Sequence, residues 1–143
     1  MTKDELIKFA KDAGGKRGLD PALVCAVIEQ ESAWQTEAIR YEDAFYDRYV
    51  IPLGIGSATE SRARAFSWGL MQVMGQVARE IGFKGKYLSE LCVPQVGIEI
   101  GCEVLKAKMA RAQWDTVQGL LYYNGGGNKH YPAEVLARMS KYK

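Results

Sequence analysis

One histidine, three cysteines and four prolines are spread over 143 residues, and each scarcity removes a class of chemistry. His130 stands alone, so a histidine-rich metal site or a Ser/His triad has little to be built from. Cys25, Cys92 and Cys102 are an odd number with no metal-like pairing. Cys25 and Cys102 lie in apolar stretches and read as buried free thiols acting as small hydrophobes; one disulfide is allowed and none is required. No apolar run reaches about 18 residues, which excludes a transmembrane helix. The net charge of +2 is too small to point to nucleic acid as a partner. The start, Met1-Thr2-Lys3-Asp4-Glu5, carries acids and is unlike a signal peptide. The expectation is a chain that works in the cytoplasm, is released or exported by another route, or has been trimmed of its leader.

What is present reads as one mainly α domain over residues 1–143, with several packed helices, little or no β-structure and no repeat. Thr2 to Glu5 has capping-box form, and Leu6, Ile7, Ala10 and Ala13 follow at helical spacing up to Gly14-Gly15. Asp20 and Pro21 start a second helix. Leu70, Val73, Val77 and Ile81 predict a third from Gly69 to about Gly82. Pro94 opens a fourth, to about Gln113, with Gly97 and Gly101 one turn apart where a neighbour can approach closely. Asp115 or Thr116 caps a fifth that ends at Gly125-Gly126-Gly127. Pro132 opens the last, with Val135, Leu136 and Met139 inward and Lys141 and Lys143 at its end. The segment from Ala33 to Ser67 is too long for an ordinary connection. Tyr41, Phe45 and Tyr49 predict a short amphipathic helix within it, and Thr59 is the expected cap of another from Glu60 to Phe66. Val50 to Ile55, interrupted by Pro52 and Gly54, is at best an irregular strand.

Glu31 is the residue with chemistry. Val24, Val27, Ile28 and Glu31 share one face of the second helix, so Glu31 continues an apolar stripe while Glu29 points away from it. A carboxyl group on a buried stripe keeps its proton to higher pH than a solvated one. Glycoside cleavage uses such a group to protonate a leaving oxygen. The bland alternative is a glutamate at a helix end that reaches water.

Three further motifs follow in order: Ser67-Trp68-Gly69-Leu70-Met71-Gln72, then Tyr122-Tyr123-Asn124-Gly125-Gly126, then Tyr131 with Val135. Each alone is an ordinary helix start or end. Together with Glu31-Ser32 they resemble the SLT-type lytic transglycosylases, which share the lysozyme-like fold with goose-type lysozymes, and the long Ala33–Ser67 segment is more like that of phage-type members. The resemblance spans Pro21 to Val135. It implies that Glu31 is the catalytic acid and base, and that Ser67, Met71, Gln72, Tyr123, Asn124 and Tyr131 bind substrate around it. Tyr123 is expected to hydrogen-bond Glu31, with Tyr122 as the alternative. It implies peptidoglycan glycan strands as the partner, a monomer acting on the cell wall, and no cofactor or metal. The family often has proline where this chain has Gly75.

The family reaction cleaves the bond between N-acetylmuramic acid and N-acetylglucosamine and closes a 1,6-anhydro ring. Two rivals stand beside it. A muramidase would hydrolyse the same bond with a second carboxylate, for which Glu60 is the candidate and Glu42 and Asp43 are further ones. A catalytically silent peptidoglycan-binding module would need neither.

Overall fold

The computed structural model describes all 143 residues. Eight α-helices surround one core: α1 Lys3–Gly15, α2 Pro21–Ser32, α3 Asp43–Phe45, α4 Ala58–Ala63, α5 Gly75–Glu80, α6 Pro94–Arg111, α7 Thr116–Asn124 and α8 Tyr131–Arg138. A small antiparallel sheet is added, of β1 Ile39–Tyr41, β2 Phe66–Trp68 and β3 Val73–Met74, in that order.

The core is organised by α2. Ala22 to Ile28 are all buried, so this helix is apolar on every side and is packed by α1, α8 and the 3-10 turn Met139–Tyr142. The Asp20 side chain accepts from the Ala22 N–H at 2.9 Å and fixes its start. Thr2 and Glu5 form the expected capping box on α1, and Asp115, not Thr116, caps α7. Cys25 and Cys102 are buried free thiols, and Cys92 is half-buried and also free. Gly101 and Gly97 do permit close approach, but not by an α-helix: a Cβ at Gly101 would strike the Met71 side chain, and one at Gly97 the Leu91 carbonyl in the 3-10 turn Leu88–Cys92.

The segment before β2 departs from its reading. Tyr41 lies in β1, and α3 continues as a π-helical turn Tyr46–Val50 and a 3-10 turn Ile51–Leu53, so there is no strand at Val50–Ile55. Ser57, three residues before Glu60, caps α4 by accepting the Glu60 N–H at 3.2 Å; Thr59 lies inside the helix and Phe66 in β2.

The largest correction is at Gly69. No helix begins there. Gly69 to Gln72 is the turn of a β2–β3 hairpin, in which Trp68 pairs with Val73, and α5 starts only at Gly75. Gly69 and Gln72 have φ of +70° and +50°, a backbone no right-handed helix contains. The apolar spacing that suggested a helix has another cause. Leu70, Met71 and Val73 are all buried, but from a turn and a strand. At the C-terminus, Val135 is buried as expected while Leu136 is exposed.

Candidate active site

Glu31 lies in the last turn of α2, and its Oε2 accepts a 2.8 Å hydrogen bond from the Tyr131 hydroxyl. Burial pushes the Glu31 carboxyl up to about 7, against a smaller opposing effect of the Tyr131 bond. The carboxylate lacks any cationic partner. Tyr131 is itself buried at the first turn of α8. That turn is set by Asn128, whose Oδ1 accepts from the His130 N–H at 2.9 Å and whose Nδ2 donates to Glu134 at 2.7 Å.

The hydrogen bond to Glu31 is therefore made by Tyr131, where Tyr123 was expected. Tyr123 points inward from α7, but its hydroxyl donates to the Met71 carbonyl at 2.6 Å. Burial, and then the nearby Glu31 charge, raise the Tyr123 pKa well above its ordinary value. Tyr122 faces elsewhere, under the Arg111 guanidinium 4.1 Å from its ring.

The Gly69–Gln72 turn supplies the next layer. Gly69 is required there: it has positive φ, and a Cβ would sit 2.5 Å from the Leu91 carbonyl oxygen. Gln72 ties the turn to β2 and to the residue ahead of β1, donating to the Ala38 and Gly69 carbonyls at 2.9 Å each and accepting from Ser67 at 2.8 Å. Ser67 is buried in this network. Met71 is 0% exposed, so its side chain is core, and only its carbonyl is offered to the site. Asn124, in the amide orientation that satisfies both ends, accepts the Asn128 N–H at 2.9 Å and closes the turn after α7. Ser32 bonds back to the Ile28 carbonyl at 3.0 Å.

Glu60 is not near this arrangement by any contact. Arg79 grips it at 2.9 and 3.0 Å and Arg64 at 2.8 Å, and the Arg79 pair leads in lowering its pKa. Glu42 is paired with Arg40 at 3.1 Å.

A support that sequence reasoning missed lies on the other side of α2. Glu29 is held by Arg138, by Lys141 at 2.8 Å and by the Tyr142 hydroxyl at 2.5 Å, and Tyr142 also accepts from the Trp34 indole at 3.0 Å. Desolvation opposes the Glu29 charge, yet these partners hold its carboxyl down at about 2. Ala33 and Trp34, both with positive φ, turn the chain sharply after Glu31. The signal was the spacing of Arg138, Lys141 and Tyr142, which can face one acid together.

A cavity of about 660 Å³ lies beside that turn, lined among others by Leu6, Trp34 and Glu37, and it does not include Glu31. No group of three or more His, Cys, Asp or Glu side chains is placed to hold a metal ion.

Residues 8–141 match the family described as the transglycosylase SLT domain. The lysozyme g of Epinephelus coioides is 30% identical over 159 aligned positions, which cover 91% of this chain and 70% of that protein. No solved structure matches the chain. A half-buried acid bonded to a tyrosine and a family match over nearly every residue agree, and the chain belongs to the SLT family of peptidoglycan-cleaving, lysozyme-like enzymes.

Proposed function

We propose that the chain is a lytic transglycosylase that uses Glu31 twice. Glu31 first gives its proton to the bridging oxygen as the muramyl C1–O4 bond breaks. The substrate's acetamido group stabilises the cation that develops. The Glu31 carboxylate then takes the proton of the C6 hydroxyl as O6 bonds to C1, which closes the 1,6-anhydro ring and restores the acid. The observation that carries this reading is the Glu31 carboxyl at the end of the apolar stripe of α2, with one neutral hydroxyl as its partner and desolvation pushing it up to about 7. Such a group is protonated in a large fraction of molecules at neutral pH and is also a competent base.

Tyr131 aims the carboxyl. Gln72 and Ser67 set one wall of the groove, with Tyr123 and the Met71 carbonyl behind it, and Asn124 fixes the turn that leads to Tyr131. The wall itself is the partner, reached by release or export; no helix is long and apolar enough to cross a membrane.

Elimination is favoured over hydrolysis by the state of Glu60, the first candidate for a second carboxylate. A hydrolase needs a second carboxylate free to activate water. Glu60 is committed to two arginines and its lowered pKa makes it a weak base. It also stands on α4, which packs on the Tyr41–Phe66–Trp68 face of the sheet through Arg62 to Tyr41 and Trp68 to the Ala63 carbonyl.

Mass spectrometry of the products from digested cell walls tests the assignment. Anhydro ends are expected; reducing ends, heavier by one water, would make the enzyme a muramidase. Glu31→Gln should fold normally and lose about a hundredfold or more of the activity. Activity within a few-fold of wild type would remove Glu31 from its role.

A further inference from the structure

The face of the sheet that carries Ser67 also carries one charged side chain that the reaction does not use. In the β1–β2 register Arg40 stands opposite Ser67, and Ser67 opposite Met74. Directly opposed residues share a face, so Arg40 projects on the Ser67 side. Its neighbour Tyr41 projects on the other side, against Phe66 with ring centroids 5.0 Å apart. Ser67 leads on to Gln72, and the Met71–Gln72 turn to Tyr123 and Glu31. Arg40 thus shares its face with Ser67, whose hydroxyl bonds the turn that Tyr123 reaches from the Glu31 side.

We infer that Arg40 is a specificity-determining residue that binds a carboxylate carried on the lactyl arm of a muramyl residue. The inference rests on the reading of Glu31 as the acid of a wall-cleaving enzyme.

Arg40 is open to such a ligand. Its side chain is 75% exposed, and its one partner is Glu42, through Nε at 3.1 Å, with Glu42 40% exposed. An ion pair in water at that exposure is weak and exchanges readily. Both terminal nitrogens remain without a partner, and a guanidinium presents paired donors that match a carboxylate. The other arginines are spoken for. Arg17, Arg64, Arg79 and Arg138 are each less exposed and tied to glutamates, and Arg48, Arg62 and Arg111 lie over tyrosine rings. Arg40 also leaves Glu31 free to work as an acid, because it is not among the groups that act on the Glu31 pKa. The ligand has two sources in the wall. On strands stripped of peptide the lactyl carboxylate is free; on intact strands it is amide-bonded, and the stem peptide supplies carboxylates instead.

Binding separates these. Glu31→Gln and Glu31→Gln/Arg40→Gln are compared on stem-bearing walls, on strands stripped by an amidase, and on walls whose carboxylates have been amidated with carbodiimide. The double variant should bind about tenfold more weakly wherever carboxylates are present, as for one lost charge-assisted contact, and equally on amidated walls. A loss confined to stem-bearing walls assigns the stem carboxylate, and a loss confined to stripped strands assigns the lactyl one. In the active background Arg40→Gln should raise KM with kcat unchanged. Glu42→Gln, which removes the competitor, should tighten binding and guards against a folding defect in the Arg40 variant. Equal binding by both variants on unmodified walls, or an equal loss on amidated ones, overturns the inference. Arg40-dependent binding by a wild-type protein that releases no muropeptides would instead sink the transglycosylase reading, and with it the specificity role, while keeping Arg40 as a carboxylate contact.

Discussion

A carboxyl group that must give up a proton at neutral pH needs surroundings that disfavour its charge. For Glu31 burial does this, and the Tyr131 hydroxyl acts in the opposite sense by favouring the carboxylate. The two effects separate in one variant. Tyr131→Phe should lower kcat by about tenfold, because the carboxyl loses its aim. It should also move the alkaline limb of the pH–rate profile above its wild-type position near 7, since the bond that lowers the Glu31 pKa is gone. An unmoved limb would show that the bond is absent in solution. Tyr123→Phe should behave differently. It leaves the buried Met71 carbonyl unpaired, a cost of about 1–3 kcal/mol in stability, and leaves the limb in place. The apolar stripe did mark Glu31 as a carboxyl shielded from solvent, and of the two tyrosines on α7 it is Tyr123, the one the motif favoured, that points inward. Which of two inward tyrosines meets the acid was beyond it, because that depends on how α7 and α8 lie against α2, and no local spacing encodes it.

Elements were readable where a cap or a helical period had a single cause. The Thr2 and Asp20 caps followed from side-chain chemistry, and apolar spacing marked the buried stripe of α2, although burial there extends right round the helix from Ala22 to Ile28. The Gly69–Gln72 hairpin did not, because burial from a tight turn mimics a helical period over a few residues, and Gln72 at positive φ carries no sequence mark. The clamp on α2 is an element-scale prediction. Glu29 has a folded pKa of about 2, below its ordinary value. It therefore stabilises the fold fully above about pH 4.5, and this is lost as pH falls through about 2. Glu29→Gln should cost about 1–2 kcal/mol at pH 7, a figure discounted for the exposure of Lys141, and almost nothing near pH 2. Equal losses in urea melts at both pH values would show that packing, and not charge, is what the variant removes.

Across the whole molecule Glu31 has the opposite sign. Its folded pKa of about 7 lies above the unfolded one, so the unfolded chain ionises first as pH rises. Below about pH 4.5 Glu31 costs nothing; between there and 7 the cost grows, and above 7 it is constant at about 3 kcal/mol. Glu31→Gln keeps an acceptor for Tyr131 and should make the protein more stable at pH 8 by about 2–3 kcal/mol, with no change at pH 4. A variant equally or less stable at pH 8 would argue that the carboxyl is solvated. The helical class and the single core were legible because burial leaves a periodic trace along the chain. The small sheet was not, since its strands of two or three residues are too short to show alternation. Glu31 and Tyr131 are separated by 100 positions. On a ribosome the helix that bears the acid emerges long before its tyrosine and before the Arg138–Tyr142 turn that braces it. The contact between acid and tyrosine therefore closes only after α8 has been made, and the surroundings of Glu31 are completed last.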